Sequence, residues 1–135
     1  MTVQARDIIN YKGNRKSIAS EPLKMYLDKR KDVKFIFKST ALIRGYIGTW
    51  EVKNNKLYLV ALLGFIENKK QVSLDFLFPK KKEVFASWFI GDIKIPHGKM
   101  IKRINLGYES IFENDLILTF NKGILINETI IDNIN

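Results

Sequence analysis

Cysteine is absent from this chain, histidine occurs once and proline three times, and the longest apolar run, Leu57–Ile66, is ten residues. Each shortage excludes something. Without cysteine there are no disulfides, zinc–thiolate sites or thiol nucleophiles, and a reducing cytoplasm is the expected setting. Ten apolar residues are about half of the roughly 20 a spanning helix needs, so no membrane association is expected. The opening residues Met1-Thr2-Val3-Gln4-Ala5-Arg6-Asp7 lack the apolar core of a secretory signal. A lone histidine with scattered carboxylates offers no paired-ligand spacing such as H-x-x-x-H, so no metal is expected. Neither glycine-rich phosphate-binding pattern occurs, and no cofactor is expected.

What the chain has is apolar surface to bury. At 135 residues, 46% hydrophobic, with nine Phe, five Tyr and two Trp, it matches one ordinary domain spanning 1–135. The net charge of +9 is uneven: residues 1–103 carry 22 of the 23 cations, whereas residues 104–135 carry one lysine against five carboxylates. Lysine supplies 18 of those cations. Lysine with asparagine and isoleucine also follows from an AT-rich coding sequence, which weakens the high pI as a sign of nucleic acid.

The densest structural signal is Arg44–Leu63. Tyr46, Gly48, Trp50 and Val52 alternate with Ile47, Thr49 and Glu51, the period of a strand. Lys53-Asn54-Asn55-Lys56 supplies a tight turn, and Leu57–Leu63 follows, apolar on both faces and therefore expected to be covered on both. Ile8–Tyr11 and Lys16–Ala19 read as a hairpin about a Gly13-Asn14 turn. Ser20 is placed to cap one short helix near residues 21–30, with Pro22 in its first turn. Val33–Phe37 reads as a strand, Glu67–Gln71 as a polar loop, and Val72–Phe78 as either strand or helix. Val84–Ile95 reads as a long strand broken at Gly91, followed by a turn at Pro96-His97-Gly98-Lys99. Gly107–Ser110 is an irregular connection, and Leu116–Phe120 with Ile124–Asn127 forms a closing hairpin about Lys122-Gly123. The expected fold is mainly β, a single-domain antiparallel sandwich or barrel-like sheet with that one helix.

Three blocks in order carry a resemblance. They are Arg44-Gly45-Tyr46 with Thr49-Trp50-Glu51 and Lys56-Leu57-Tyr58-Leu59; Ala86-Ser87-Trp88-Phe89-x-Gly91 with Ile95-Pro96-x-Gly98-Lys99; and Gly107-Tyr108-x-Ser110-x-Phe112-Glu113 with Lys122-Gly123. The set, covering roughly residues 42–125, resembles a group of small bacterial proteins of unknown function. That resemblance implies a bacterial cytoplasmic setting and supplies no site. By analogy of size and composition alone, immunity and antitoxin proteins are similar.

Candidate functional residues are few. His97 has the pKa for a general base but no catalytic partner at a recognisable spacing, so an exposed turn residue is the plainer reading. Glu51, Asp75, Glu83 and Asp92 are carboxylates that a hydrolase would need in pairs; on a sheet they serve equally as a solvated face. Arg44 has the planar donor fork for an anion or for an ion pair with a neighbour such as Glu51. Lys69, Lys70, Lys80, Lys81 and Lys82, with Lys99, Lys102 and Arg103, are the loop cations that would meet nucleic acid, with Tyr46, Trp50, Tyr58 or Trp88 stacking bases. The leading expectation is a non-enzymatic binding protein, immunity- or antitoxin-like, that occludes a protein partner, an acidic one given the basic body. The alternatives are a nucleic-acid-binding β module and a carboxylate-based hydrolase or small-ligand-binding β protein.

Overall fold

Three two-residue turns set the register of the sheet. Lys12-Gly13, Asn54-Asn55 and Lys122-Gly123 all have positive φ at both positions, the mirror-image turn whose twist matches that of paired strands. The first joins β1 (Asp7–Tyr11) to β2 (Asn14–Ile18), the second β3 (Tyr46–Lys53) to β4 (Lys56–Ile66), and the third β8 (Ile111–Asn121) to β9 (Ile124–Asp132). The opening turn thus lies one residue earlier than the sequence suggests, because Lys12 itself adopts the left-handed conformation. The structure, a computed structural model, describes residues 4–102 and 111–133. The expected connection at Gly107–Ser110 lies outside them.

The protein is mainly β, and its described strands form one sheet of nine in the order β2-β1-β3-β4-β9-β8-β7. Strand β7 is Gly91–Lys102; the short β5 (Lys70–Val72) and β6 (Val84–Phe85) pair with β4 off that path. The pairings are antiparallel except β1 with β3, which run parallel with Ile8 opposite Thr49, so the sheet is mixed. Its two ends curl toward each other, β2 lying beside β7, which gives a barrel-like shape. Two one-turn helices, α1 (Lys24–Leu27) and α2 (Leu74–Leu77), cover gaps in it.

Several local expectations change. Leu23, not Ser20, occupies the N-cap of α1, and the Ser20 hydroxyl donates instead to the Asp92 carbonyl at 3.5 Å. Val33–Phe37 forms no strand: Val33 and Lys38 donate their N–H groups to Arg30 and Leu42 nearby, leaving one link to the sheet, from Ile36 N–H to the Phe65 carbonyl at 2.9 Å. The ambiguous Val72–Phe78 resolves into the end of β5 and then α2, and the expected loop Glu67–Gln71 is a 3-10 turn leading into β5. Val84–Ile95 breaks after Phe85, not only at Gly91, because Ala86 and Phe89 turn inward to be buried. The expected turn at Pro96–Lys99 is a bulge inside β7: pairing skips from His97↔Asn114 to Met100↔Phe112, Gly98 takes φ +82°, and Lys99 N–H donates to Glu113 Oε1 at 2.6 Å.

A bulge also explains the two-faced run in β4. Thr49 pairs with Ala61 but Trp50 pairs with Leu59, so Val60 is the extra residue. It switches the inward parity, and Leu57 and Leu59 before it and Leu62 after it all point into the core. The second face is covered only in part: Tyr58 and Val60 are half-buried, and Leu63 remains 37% exposed. The core forms around the fully buried Trp50, Leu57, Leu59, Ile93 and Leu118, joined by Ile9.

Candidate functional site

In β1 the alternation Asp7, Ile9, Tyr11 faces inward, which sends a carboxylate into the core with two apolar neighbours. Asp7 is the one buried charged side chain among the described residues. The parallel register of β1 on β3 sets it against Gly48 and Trp50, and it is met there by donors. Gly48 N–H (2.9 Å) and Arg44 Nη2 (2.6 Å) donate to Oδ1, and the Trp50 indole N–H donates to Oδ2 at 2.9 Å. Glycine at position 48 makes the approach possible: a Cβ would lie 3.0 Å from Trp50 Nε1 and 3.2 Å from Asp7 Oδ2.

Burial pushes the Asp7 carboxyl above the ordinary carboxylate range, opposed by Arg44 and by the Gly48 and Trp50 hydrogen bonds. Burial works most strongly against the Arg44 charge, but Asp7, Glu21 and Tyr46 together outweigh it and the guanidinium pKa is raised. Arg44 further lies 3.4 Å from Glu21 through Nη1 and 4.7 Å from the centroid of the Tyr46 ring. The Tyr46 hydroxyl donates to Glu21 at 3.3 Å, and burial raises its pKa, with the Glu21 charge adding to the rise. Arg44 Nη1 is buried and makes no hydrogen bond, so its tie to Glu21 is one of charge alone. Above the cluster opens a cleft of about 430 Å³, lined by Gln4, Arg6, Glu21 and Arg44 among others.

This cluster holds the fold together. Every oxygen of the buried carboxylate accepts a hydrogen bond, and a buried ion pair so satisfied is strongly destabilising to break. Arg44 thus pairs with Asp7 and Glu21, and no contact joins it to Glu51. The sequence carried one sign of this, since Asp7 stands at the inward parity of Asp7-Ile8-Ile9-Asn10-Tyr11.

The other expected site residues are scattered. Glu51 and Glu83 do converge, on a cation: Lys53 Nζ lies 3.9 Å from the first and 2.5 Å from the second at the exposed end of β3. Asp75 accepts from Lys80 N–H at 2.8 Å and Asp92 from the Thr119 hydroxyl at 2.7 Å, on separate elements. Lys69 and Lys70 are exposed where the 3-10 turn enters β5, and Lys80, Lys81 and Lys82 are exposed in the loop after α2. His97 is exposed on β7 opposite Asn114, on a strand rather than in a turn. Of the aromatics considered for base stacking, Trp50 and Tyr46 are buried. Trp88 stacks on Phe78 with ring planes 7° apart and donates to the Pro22 carbonyl at 2.9 Å.

A second surface lies on β9, whose residues Ile124–Asn127 the sequence marks only as half of the closing hairpin. Ile126 is 61% exposed and Ile130 63%, and Ile124 and Ile131 on the same strand are exposed as well. Among the described residues no group of metal-ligating side chains converges, and no helix is long and apolar enough to cross a membrane. No family model, curated protein or solved structure matches the chain.

Proposed function

We propose that this is a small non-enzymatic binding protein of the bacterial cytoplasm that acts by covering a protein partner, in the manner of an immunity or antitoxin protein. The observation that carries the reading is the run of exposed isoleucines on β9. Apolar residues grouped on one element, with polar neighbours, mark protein contact surfaces more often than isolated exposed ones do. The buried Asp7–Arg44 pair, by contrast, is engaged in holding β1, β3 and the preceding loop, and its donors are directed inward. Cytoplasmic placement is supported by the absence of cysteine.

The nucleic-acid alternative rests on the lysine loops, since Trp50 and Tyr46 are enclosed. A salt titration against a generic oligonucleotide addresses it: phosphate contacts impose a steep fall of affinity with salt, and no binding at low salt removes that alternative. For the leading reading, the chain is co-expressed with the product of the adjacent gene. Stoichiometric co-purification, with relief of growth arrest where that product is toxic, is the expected result. Two products that purify apart and never form a complex on mixing overturn it.

A further inference from the structure

Two clefts of this fold have charged groups that already hold one another. Beside the first, Arg44 is engaged by Asp7 and Glu21; beside the second, Glu128 has the Tyr11 hydroxyl and Lys12. A third cleft differs. Its volume is about 560 Å³, and it lies between segment 32–36, the 3-10 turn that follows β4, and α2.

The walls of this cleft are tied in place. Ile36 N–H donates to the Phe65 carbonyl at 2.9 Å, and the Phe35 ring lies over Gly64, where a Cβ would come within 2.4 Å of it. That ring also meets Phe76 of α2 edge-on, with centroids 6.3 Å apart. At one end Asp32 is gripped by Arg30 through two hydrogen bonds of 2.9 and 3.0 Å. The opposite rim, Glu67 and Asn68, is set by a chain reversal through two left-handed residues, Asn68 (φ +64°) and Lys69 (φ +56°). The cleft therefore exists before any ligand arrives, which lowers the cost of binding one.

Its polar lining is a pair of opposite charges without partners. Among the described residues, neither the Lys34 ammonium nor the Glu67 carboxylate makes an ion pair or hydrogen bond, and they do not pair with each other. The Asn68 carboxamide is likewise unengaged. Since Asp32 is satisfied by Arg30, one cation and one anion are left to meet a ligand. The apolar lining is Ile36, Ile66 and Phe76, the last 39% exposed. A ligand with a single charge leaves the opposing group of the cleft unmatched, and a wholly apolar one displaces water from both charges without replacing it. A molecule that carries both charges close together, with an apolar substituent, meets every part of the lining.

We propose that this cleft is a binding site for a small zwitterion with an apolar side chain, the chemistry of a free hydrophobic amino acid or of a dipeptide of two such residues. Lys34 takes the carboxylate, Glu67 takes the ammonium, and Asn68, with both donor and acceptor, bonds to either. Phe76 and the two isoleucines receive the side chain. None of these residues is on β9, so the inference goes beyond the protein-covering reading and is decided independently of it.

The test is an amide-shift NMR titration of the full chain with L-phenylalanine and, separately, with leucyl-leucine, whose charges stand further apart. One of the two should bind with Kd of about 1 mM or tighter and identifies the source of the ligand. For that ligand, amidation of the carboxylate, acetylation of the amine, or removal of the side chain (glycine or diglycine) should each weaken binding about tenfold or more. Lys34→Gln and Glu67→Gln alter exposed groups and should leave the thermal midpoint unchanged. Lys34→Gln should weaken the parent ligand about tenfold and leave the amidated form unaffected, and Glu67→Gln should do the same with the acetylated form. If one variant unfolds, the other still decides. Absence of binding by both ligands, equal binding of the amidated or acetylated form, or variants that bind as the parent does overturns the proposal. So does loss of the adjacent-gene product from both variants without zwitterion binding, which would make the cleft part of the partner-covering surface. Failure of the zwitterions while that product still co-purifies removes this site alone.

Discussion

Asp7 and Glu128 are both carboxylates on the inward side of a strand, yet one is enclosed and the other stands at a rim. Asp7 has lost its water and gained three donors, one of them a guanidinium. Glu128 keeps about a third of its side-chain surface in solvent and holds the Tyr11 hydroxyl. Around Asp7 the strands are covered by other layers, and Trp50 and Leu59 have no exposed surface. Around Glu128 the row that faces the core side of β9 runs Glu128, Ile130, Asp132, and Ile130 is left 63% exposed. The two regions thus differ in what surrounds them: the first is enclosed and engaged in holding the fold, and the second is left exposed.

The largest effect that would break this comparison is expected at Asp7. Asp7→Ala leaves Arg44, Gly48 N–H and Trp50 N–H without their acceptor and should cost about 3–5 kcal/mol, read as a lower urea midpoint. A loss under about 1 kcal/mol would mean that the cluster is not structural and that its cleft should be re-examined as a binding site. Gly45→Ala should come next, at about 3 kcal/mol: φ there is +81°, and a Cβ would stand 2.0 Å from the Ile36 carbonyl oxygen, a backbone atom with little freedom to yield. A variant as stable as the parent would show that the crossing segment at Ile36 shifts freely.

Much of this body could be read from residues. Tyr46, Gly48 and Trp50 announce an inward face, and each turn carries Gly or Asn at a position where φ is positive. What could not be read depends on partners distant in the chain. Period two says that Val33–Phe37 is extended but not that its tie to the sheet is the Ile36 amide, with Val33 and the following Lys38 bonded locally. It says that Leu57–Leu63 is apolar but not that a bulge at Val60 folds two parities into one face. Asp7 stands at the inward parity of its strand, but that Gly48 and Trp50 meet it there depends on β1 lying parallel to β3, a pairing with no local signature. The lysine loops are conspicuous in sequence, whereas the isoleucines of β9 carry no local sign of how much of them the fold leaves uncovered.

The joint between the two regions gives a smaller effect. Burial, with the Glu128 hydrogen bond and charge adding to it, pushes the Tyr11 pKa up to about 12. An unfolded tyrosine loses its proton near its ordinary value of 10.0, so between about 10 and about 12 the folded state binds more protons than the unfolded one. Stability therefore falls as pH rises through that window. Tyr11→Phe should cost about 1 kcal/mol at neutral pH for the lost hydrogen bond. It should also flatten part of the alkaline fall in thermal midpoint; an unchanged slope would mean that the Tyr11 pKa is not raised in the folded state.

The smallest expected effect is the one that most sharpens the contrast. Ile130→Ser removes an apolar side chain from a strand, as a core change would, yet Ile130 is 63% exposed and its neighbours already stand in water. A buried isoleucine truncated this way loses several kcal/mol through transfer and cavity terms, whereas a surface substitution stays within about 0.5 kcal/mol. Urea unfolding of Ile130→Ser beside Ile93→Ser, the latter fully buried on β7, puts both on one scale. A large loss at Ile130 would mean that β9 is covered in solution by other parts of the chain or by a second copy. A negligible loss leaves Ile130 with no role in stability, and a surface residue without such a role is free to be shaped by what binds it.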